Sequence, residues 1–274
     1  MFTLLKSRFS KKEELTNTLS STESVDIIEN TAYDYLKPLG FKKHGRTLHR
    51  FVDGDMSQVL WFQNGCPQKG VTDIFWLSIG IRIPECNERK FVIDTPMKKY
   101  YREYECDIRT DLGSYVNGSG VGYDLKKDPY RIAEDVLKKI KENIMPVFDL
   151  MSSRDGVLKY RREYKSFDLF HNRAVLLHEA MIYGRRGDIE KAYECFNEYY
   201  KNALDEYTYT VEHGSQFYLK KGKSVMYLNR RTGESETIVA KKDGYVTLYD
   251  ANDAHLKALE ELAVKLDIPL LYHR

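Results

Sequence analysis

Between residues 25 and 39 apolar side chains recur every three or four positions (Val25, Ile28, Ala32, Tyr35, Leu36, Leu39), which predicts a helix that Gly40 stops. The period then falls to two. Stretches 47–51 and 57–64 flank VDGD, where Asp53 and Gly54 signal a hairpin turn. Phe75, Leu77, Ile79, Ile81 and Ile83 alternate with Trp76, Ser78, Gly80 and Arg82. Cys106, Ile108, Thr110 and Leu112 alternate in the same way with Asp107, Arg109 and Asp111. Four such strands with short or irregular connections predict an antiparallel sheet with one buried face. Asp128 and Pro129 open a further helix with Ile132, Val136, Ile140 and Ile144 inward, and Pro146 bends or ends it.

Helical spacing returns at 174–183 and 189–204 around GRRGD, with Leu176, Ala180, Tyr183, Gly187, Ala192 and Phe196 placed as in a single tetratricopeptide hairpin. One unit cannot build a solenoid, so a packing hairpin is expected. From residue 207 short strand signals at 217–219, 224–228, 237–240 and 245–249 alternate with KKGK, RRTGE and KKDG, the pattern of a β-meander. Asn252 or Asp253 caps a closing helix with Leu256, Leu259, Leu262 and Leu266 inward, stopped near Pro269. The expected organisation is α+β. A flexible lead-in (1–20) precedes a domain over 21–204, in which an antiparallel sheet is flanked by helices and followed by the hairpin (161–204). A small meander-plus-helix appendage (205–274) closes the chain.

Composition narrows the function classes. With 274 residues, 42% hydrophobic, and a net charge of +2, the chain has ample core and is no general polyanion binder. The 21 tyrosines suit binding surfaces as well as cores. Cys66, Cys86, Cys106 and Cys195 form no Cys-x-x-Cys pair, and the opening MFTLLKSRFSKK has too short an apolar run for a secretory leader. No stretch approaches the roughly 18 apolar residues of a membrane span. A reduced, soluble, cytoplasmic protein is expected.

Five stretches in order, LKPLGFKKHGRTLHRF (36–51), QVLWFQNG (58–65), FWLSIGI (75–81), YECDIRTDLGSY (104–115) and PVFDLMSSRDGVLKY (146–160), resemble an uncharacterised bacterial family known only as a domain of unknown function (DUF4304). The likeness runs over about residues 25–200, hairpin included. It implies an α+β fold and carries no activity or catalytic residues.

NGSGVGYD (117–124) is glycine-rich, but Gly122 is followed by Tyr123 and Asp124, not by the Lys-Ser/Thr of a phosphate loop, and Tyr123 stands where a dinucleotide loop needs its third glycine. A hinge or lid is expected there. His171 and His178 lie about 10.5 Å apart along a helix, too far to share an ion. His44 and His49, five apart in strand-like sequence, are expected to face opposite ways. No metal and no cofactor are expected. Asp155, Glu163 and Lys165 fit a nuclease-like spacing, but on sequence that is not strand-like.

Two candidate surfaces remain. The polar sheet face collects Trp61, Gln63, Trp76, Ser78, Arg82, Asp107, Arg109 and Asp111, a partner-binding cleft if open and ordinary Asp–Arg pairing if not. The meander offers Lys220, Lys221, Lys223, Tyr227, Arg230 and Arg231 to nucleic acid. The leading expectation is an interaction protein recognising another protein, in a bacterial defence, toxin-neutralising or regulatory setting. The alternatives are a nucleic-acid-binding protein using the meander and an enzyme of unrecognised class using the Asp/Arg face, with the balance against an enzyme.

Overall fold

The computed structural model describes residues 18–66, 71–118, 120, 122–163 and 174–273. Residues 1–17 of the expected lead-in and 164–173 of the expected hairpin, including His171 and Lys165, lie outside the described residues. The chain divides into two compact units. One holds the described residues up to Asn87 and from Thr95 to Glu163, and the other holds 88–94 and the described residues from 174 onward.

In the first unit, α1 (Ser21–Leu36) begins at a capping box. Ser20 Oγ accepts from the Glu23 N–H at 3.3 Å, and Glu23 Oε2 accepts from the Ser20 N–H at 2.9 Å. Val25, Ile28, Ala32 and Leu36 form its buried stripe, and Gly40, at φ +89°, closes the following Lys37–Leu39 turn. Five antiparallel strands follow in spatial order: β1 (Lys42–His44), β2 (Thr47–Val52), β3 (Met56–Cys66), β4 (Val71–Arg82) and β5 (Ile108–Asp111). A short β6 (Tyr123–Asp124) pairs β4 at Phe75 and Ile74. Leu48, Leu60, Phe62, Phe75, Leu77, Ile79 and Ile81 are buried on one face, as the alternation requires.

The helix opened by Asp128 and Pro129, α4 (Pro129–Lys139), packs with α1 and buries Ile132 and Val136. It passes through a π-helical turn (Ile140–Ile144) into α5 (Met145–Leu150), where Pro146 sits in the first turn, so the proline marks a bend and not an end. The alternation expected over 106–112 is strand only over β5. From Leu112 the chain coils into α3 (Leu112–Asn117), because Asp111 accepts from the Ser114 N–H at 2.8 Å and so caps a helix.

Arg154 opens α6 (Arg154–Glu163) and gathers three carboxylates. Its guanidinium reaches Asp53 at 3.1 Å, Asp55 at 2.7 Å, and Glu85 of α2 (Pro84–Glu88) at 2.7 and 2.9 Å. Burial works against its charge, but the bonds to Glu85 and Asp55 outweigh this and hold it above the usual guanidinium range. Glu85 is fully buried, so this bidentate pair is what keeps its charge tolerable.

In the second unit, α7 (Val175–Arg185) and α8 (Ile189–His213) form the expected antiparallel hairpin, turned at Gly187 with φ +82°. Phe91 lies so close to Gly184 that a Cβ there would meet its ring at 2.2 Å. α8 runs to His213, past the end expected near 204. The strand-forming run 207–211 stays helical, with Thr210 Oγ1 donating to the Glu206 carbonyl at 2.9 Å. α9 (Ala254–Lys265) packs Leu256, Leu259 and Leu262 inward beside α8. Buried Asn197 ties the chain after α9 in place by donating to the Pro269 carbonyl at 3.1 Å and accepting from the Leu271 N–H at 2.8 Å.

Replacing Arg154 with Ala should cost about 3–5 kcal/mol in urea unfolding, because Glu85 is left buried and uncompensated. The double variant with Glu85→Gln should recover part of that loss. A loss under about 1 kcal/mol would show the cluster behaving as a surface pair.

Candidate functional site

Side chains two apart on a strand share a face, and the register between strands decides which of them become neighbours. Trp61 pairs Ser78, which pairs Asp111. Gln63 pairs Trp76, Ser57 pairs Arg82, and Gly80 pairs Arg109. The structure therefore brings Trp61, Gln63, Trp76, Ser78, Arg82, Arg109 and Asp111 onto one sheet face, with Asp107 at the entrance to β5. Gln63 Nε2 donates to Ser78 Oγ at 2.5 Å.

That face is largely covered. Segment 100–106 of the first unit crosses it, with Tyr100 stacked on His44 at 3.5 Å and Tyr101 edge-on to Phe51 at 6.0 Å. The Tyr101 ring also takes the Arg82 guanidinium at 4.0 Å. Cys106 presses on Gly80, where a Cβ would lie 2.6 Å from its sulfur. Arg82 is 5% and Asp107 7% exposed, while Trp61, Gln63, Trp76, Arg109 and Asp111 are half-buried.

Local duties absorb most of the polar groups. Asp111 caps α3 with one oxygen and takes the Ser114 hydroxyl on the other at 2.6 Å. Asp107 accepts from the Ile83 N–H at 2.8 Å, yet burial pushes its carboxyl up to about 7, with that bond and Arg82 pulling the other way. Burial also raises the Glu103 carboxyl, opposed by Arg109.

The histidines correct the sequence reading. His44 and His49 lie on two strands either side of a turn, Lys42 pairing His49 and His44 pairing Thr47, so both face the same way. His49 was not among the expected site residues. It is buried there, its basicity lowered by burial and then by the nearby Lys42 and His44 charges. His49 Nδ1, Ser57 Oγ and Arg109 Nε are buried on this face without a hydrogen-bond partner among the described residues. No sequence signal marks them, since burial from outside the sheet decides it.

The glycines of 117–124 have two structural uses. Gly118 ends α3 at φ +66°, and Gly122 lies so close to β4 that a Cβ would meet Ile74 at 2.3 Å and the Phe75 carbonyl at 2.6 Å. Ser119 and Val121 lie outside the described residues.

Residues 32–150 match the model of a family described as Domain of unknown function (DUF4304). They form a DUF4304-like domain. The match spans β1 to β5 and α3 to α5, and stops short of α6 and the helical hairpin. No curated protein matches the chain. No solved structure matches it either. Among the described residues no cluster of three metal-ligating side chains occurs, and no helix is long and apolar enough to cross a membrane.

Beyond the DUF4304-like domain, the expected meander pairs differently. β7 (Ser215–Leu219) pairs β10 (Gly244–Leu248), and β8 (Ser224–Leu228) pairs β9 (Ser235–Val239), so first meets last and second meets third. Leu219 opposes Gly244 and Ser224 opposes Val239 in one continuous register: the four strands are one long two-stranded ribbon, broken at 220–223 and 240–243. Of the residues expected to meet nucleic acid, Tyr227 donates its hydroxyl to Glu236 at 2.6 Å, Arg231 lies over Tyr249 at 4.7 Å, and Arg230 donates to the Ala251 carbonyl at 3.1 Å. Lys220, Lys221 and Lys223 sit at the break, exposed.

Two outcomes follow for the DUF4304-like domain. A carboxyl whose folded pKa is raised favours folding at low pH, and that advantage is lost as pH rises from about 4 towards about 7. Wild type should therefore lose up to about 4 kcal/mol relative to Asp107→Asn across that window and hold steady above it. A constant difference in urea unfolding at all pH values would mean that Asp107 does not titrate there. In the glycine segment, Gly122→Ala should cost about 1–3 kcal/mol by overpacking β4. Gly118→Ala should cost about 1 kcal/mol for its left-handed backbone. Equal melting of all three proteins would contradict both assignments.

Proposed function

We propose that this chain is a binding protein that recognises another protein through one face of the β8–β9 ribbon. The observation that carries this is the face itself. Ser224, Met226 and Leu228 of β8 and Ser235, Thr237 and Val239 of β9 all point to one side and are all exposed, Met226 at 76%, Val239 at 58% and Leu228 at 42%. The opposite face, with Val225, Tyr227, Glu236 and Ile238, is half-buried. Three large apolar side chains held in water by a rigid ribbon suit a protein contact, and they offer no ring to stack on and no charge. Among the described residues β8 and β9 pair only each other, so each also presents an open edge. The occupant that fits both features is an extended segment of a partner, adding as a third strand and laying apolar side chains on Met226, Leu228 and Val239.

The enzyme reading is weaker. Asp111 is occupied as a helix cap and Arg82 lies under Tyr101. Burial pushes the Cys86 and Cys106 thiols well up, away from the thiolate that a nucleophile needs. These buried free thiols also fit the cytoplasmic setting included in this proposal.

The full chain and its Met226→Glu, Val239→Glu double variant should unfold within about 0.5 kcal/mol of each other, since both positions are exposed. A partner captured from the source cells by wild type, once purified, should bind the variant at least tenfold more weakly in calorimetry, about 1.4 kcal/mol. Equal affinity for both proteins would sink the proposal.

A further inference from the structure

We propose that the break in the C-terminal ribbon is a separate binding site, for single-stranded nucleic acid. This goes beyond the protein contact assigned to the β8–β9 face, and it rests on different residues.

The break is an ordered feature. The Lys223 N–H donates to the Lys220 carbonyl at 3.0 Å, closing a tight turn with Gly222 at φ +77°. Gly222 donates across to the Ala240 carbonyl at 2.8 Å, Ala240 donates back to Lys223 at 2.9 Å, and the Lys221 N–H is held by Asp243 Oδ1 at 2.7 Å. Onto this small frame the sequence loads Lys220, Lys221 and Lys223 from one side and Lys241 and Lys242 from the other. All five are exposed, and none of their ammonium groups is in an ion pair or hydrogen bond among the described residues. Paired strands run about 4.8 Å apart, so the backbones that carry these five cations are close together, and like charges gathered there repel one another. Nothing in the ribbon needs that repulsion, and a polyanion removes it.

The neighbouring rungs choose between polyanions. One rung beyond Leu219 and Gly244, Tyr218 pairs Tyr245 with ring centroids 5.3 Å apart and an interplanar angle of 71°. The rings are 49% and 72% exposed. Exposed rings beside a knot of lysines match a ligand that alternates phosphates with flat bases. An acidic polypeptide would answer the lysines and leave the tyrosines idle, and in a duplex the base faces are already stacked. Contacts from five lysines to phosphates would release counterions, so binding is expected to be salt-dependent.

The test uses the full chain and fluorescent oligo-dT and oligo-U of about 20 nucleotides, followed by anisotropy. Five phosphate contacts on a single strand predict that affinity falls roughly a hundredfold between about 50 and 200 mM salt. Replacing the five lysines with Gln should flatten that slope at an unchanged unfolding midpoint. Tyr245→Ala should weaken binding about fivefold or more. Three results would overturn the proposal: no binding at about 50 mM salt, competition by polyglutamate as strong as by oligo-dT, or binding indifferent to Tyr245. The Met226→Glu, Val239→Glu variant separates the two sites. It should bind oligo-dT like wild type even if its protein partner is lost, and loss of oligo-dT binding would move the contact to the apolar face and overturn this assignment.

Discussion

The pairing of β3 with β4 decides what both faces of the sheet can be. The two strands are in register from Ser57 and Arg82 to Asn64 and Phe75. A slip of one residue would carry Leu60 and Phe62 to the face of Trp76 and Arg82 and turn Trp61 and Gln63 towards the core. Each large apolar side chain so exposed would cost about 1.5–3 kcal/mol, which makes the register unique. The neighbouring register of β2 on β3 has a second guarantee. Asp53 and Gly54 take the turn at positive φ, and Arg154 grips Asp53 and Asp55 while compensating buried Glu85. One guanidinium thus links the start of α6, the β2–β3 turn and α2.

With the register set, the polar face is determined except for its cover. Segment 100–106 has no period of its own, yet Tyr100, Tyr101 and Cys106 close over His44, Arg82 and Gly80. That cover changes the chemistry underneath. In water Asp107 and Arg82 would be an ordinary surface pair, but burial raises the carboxyl to about 7 and leaves Arg82 stacked on a ring. The face is therefore largely packed, with polar groups buried beneath its cover.

Period and punctuation made much of the fold legible. The α1 stripe, the alternation of β3 and β4, the Asp53–Gly54 turn and Pro129 at a helix start were all readable, because each depends on residues close in sequence. Three features were not, each for a physical reason. His44 and His49 share a face because parity holds within a strand and is reset by the turn between β1 and β2. The run 207–211 has strand formers, but it continues a helix already nucleated and stopped only at Gly214, with φ +75°. The meander signals KKGK (220–223), RRTGE (230–234) and KKDG (241–244) fall at or beside the interruptions between the strands. Alternation and turn positions are the same for a meander and for a nested ribbon, so the partners had to come from the three-dimensional structure.

The same physics separates the two kinds of surface in this chain. In the first unit several charged groups are answered locally: Glu29 by Lys43 and Arg46, Asp149 by Arg50, Glu85 by Arg154, and Asp111 by the start of α3. A folded protein gains little from holding cations together without counter-charge, or apolar side chains in water, and the self-repulsion at the ribbon break works against folding. The ribbon does both within 25 residues, from Tyr218 to Lys242. Its hydrogen bonds at 222, 223 and 240 fix the backbone, so the exposure is built in and not a consequence of looseness. The ribbon thus carries exposed lysines at one point and unburied apolar side chains at another, on a backbone held by hydrogen bonds. That contrast, more than any motif, is the physical ground for proposing recognition at the ribbon.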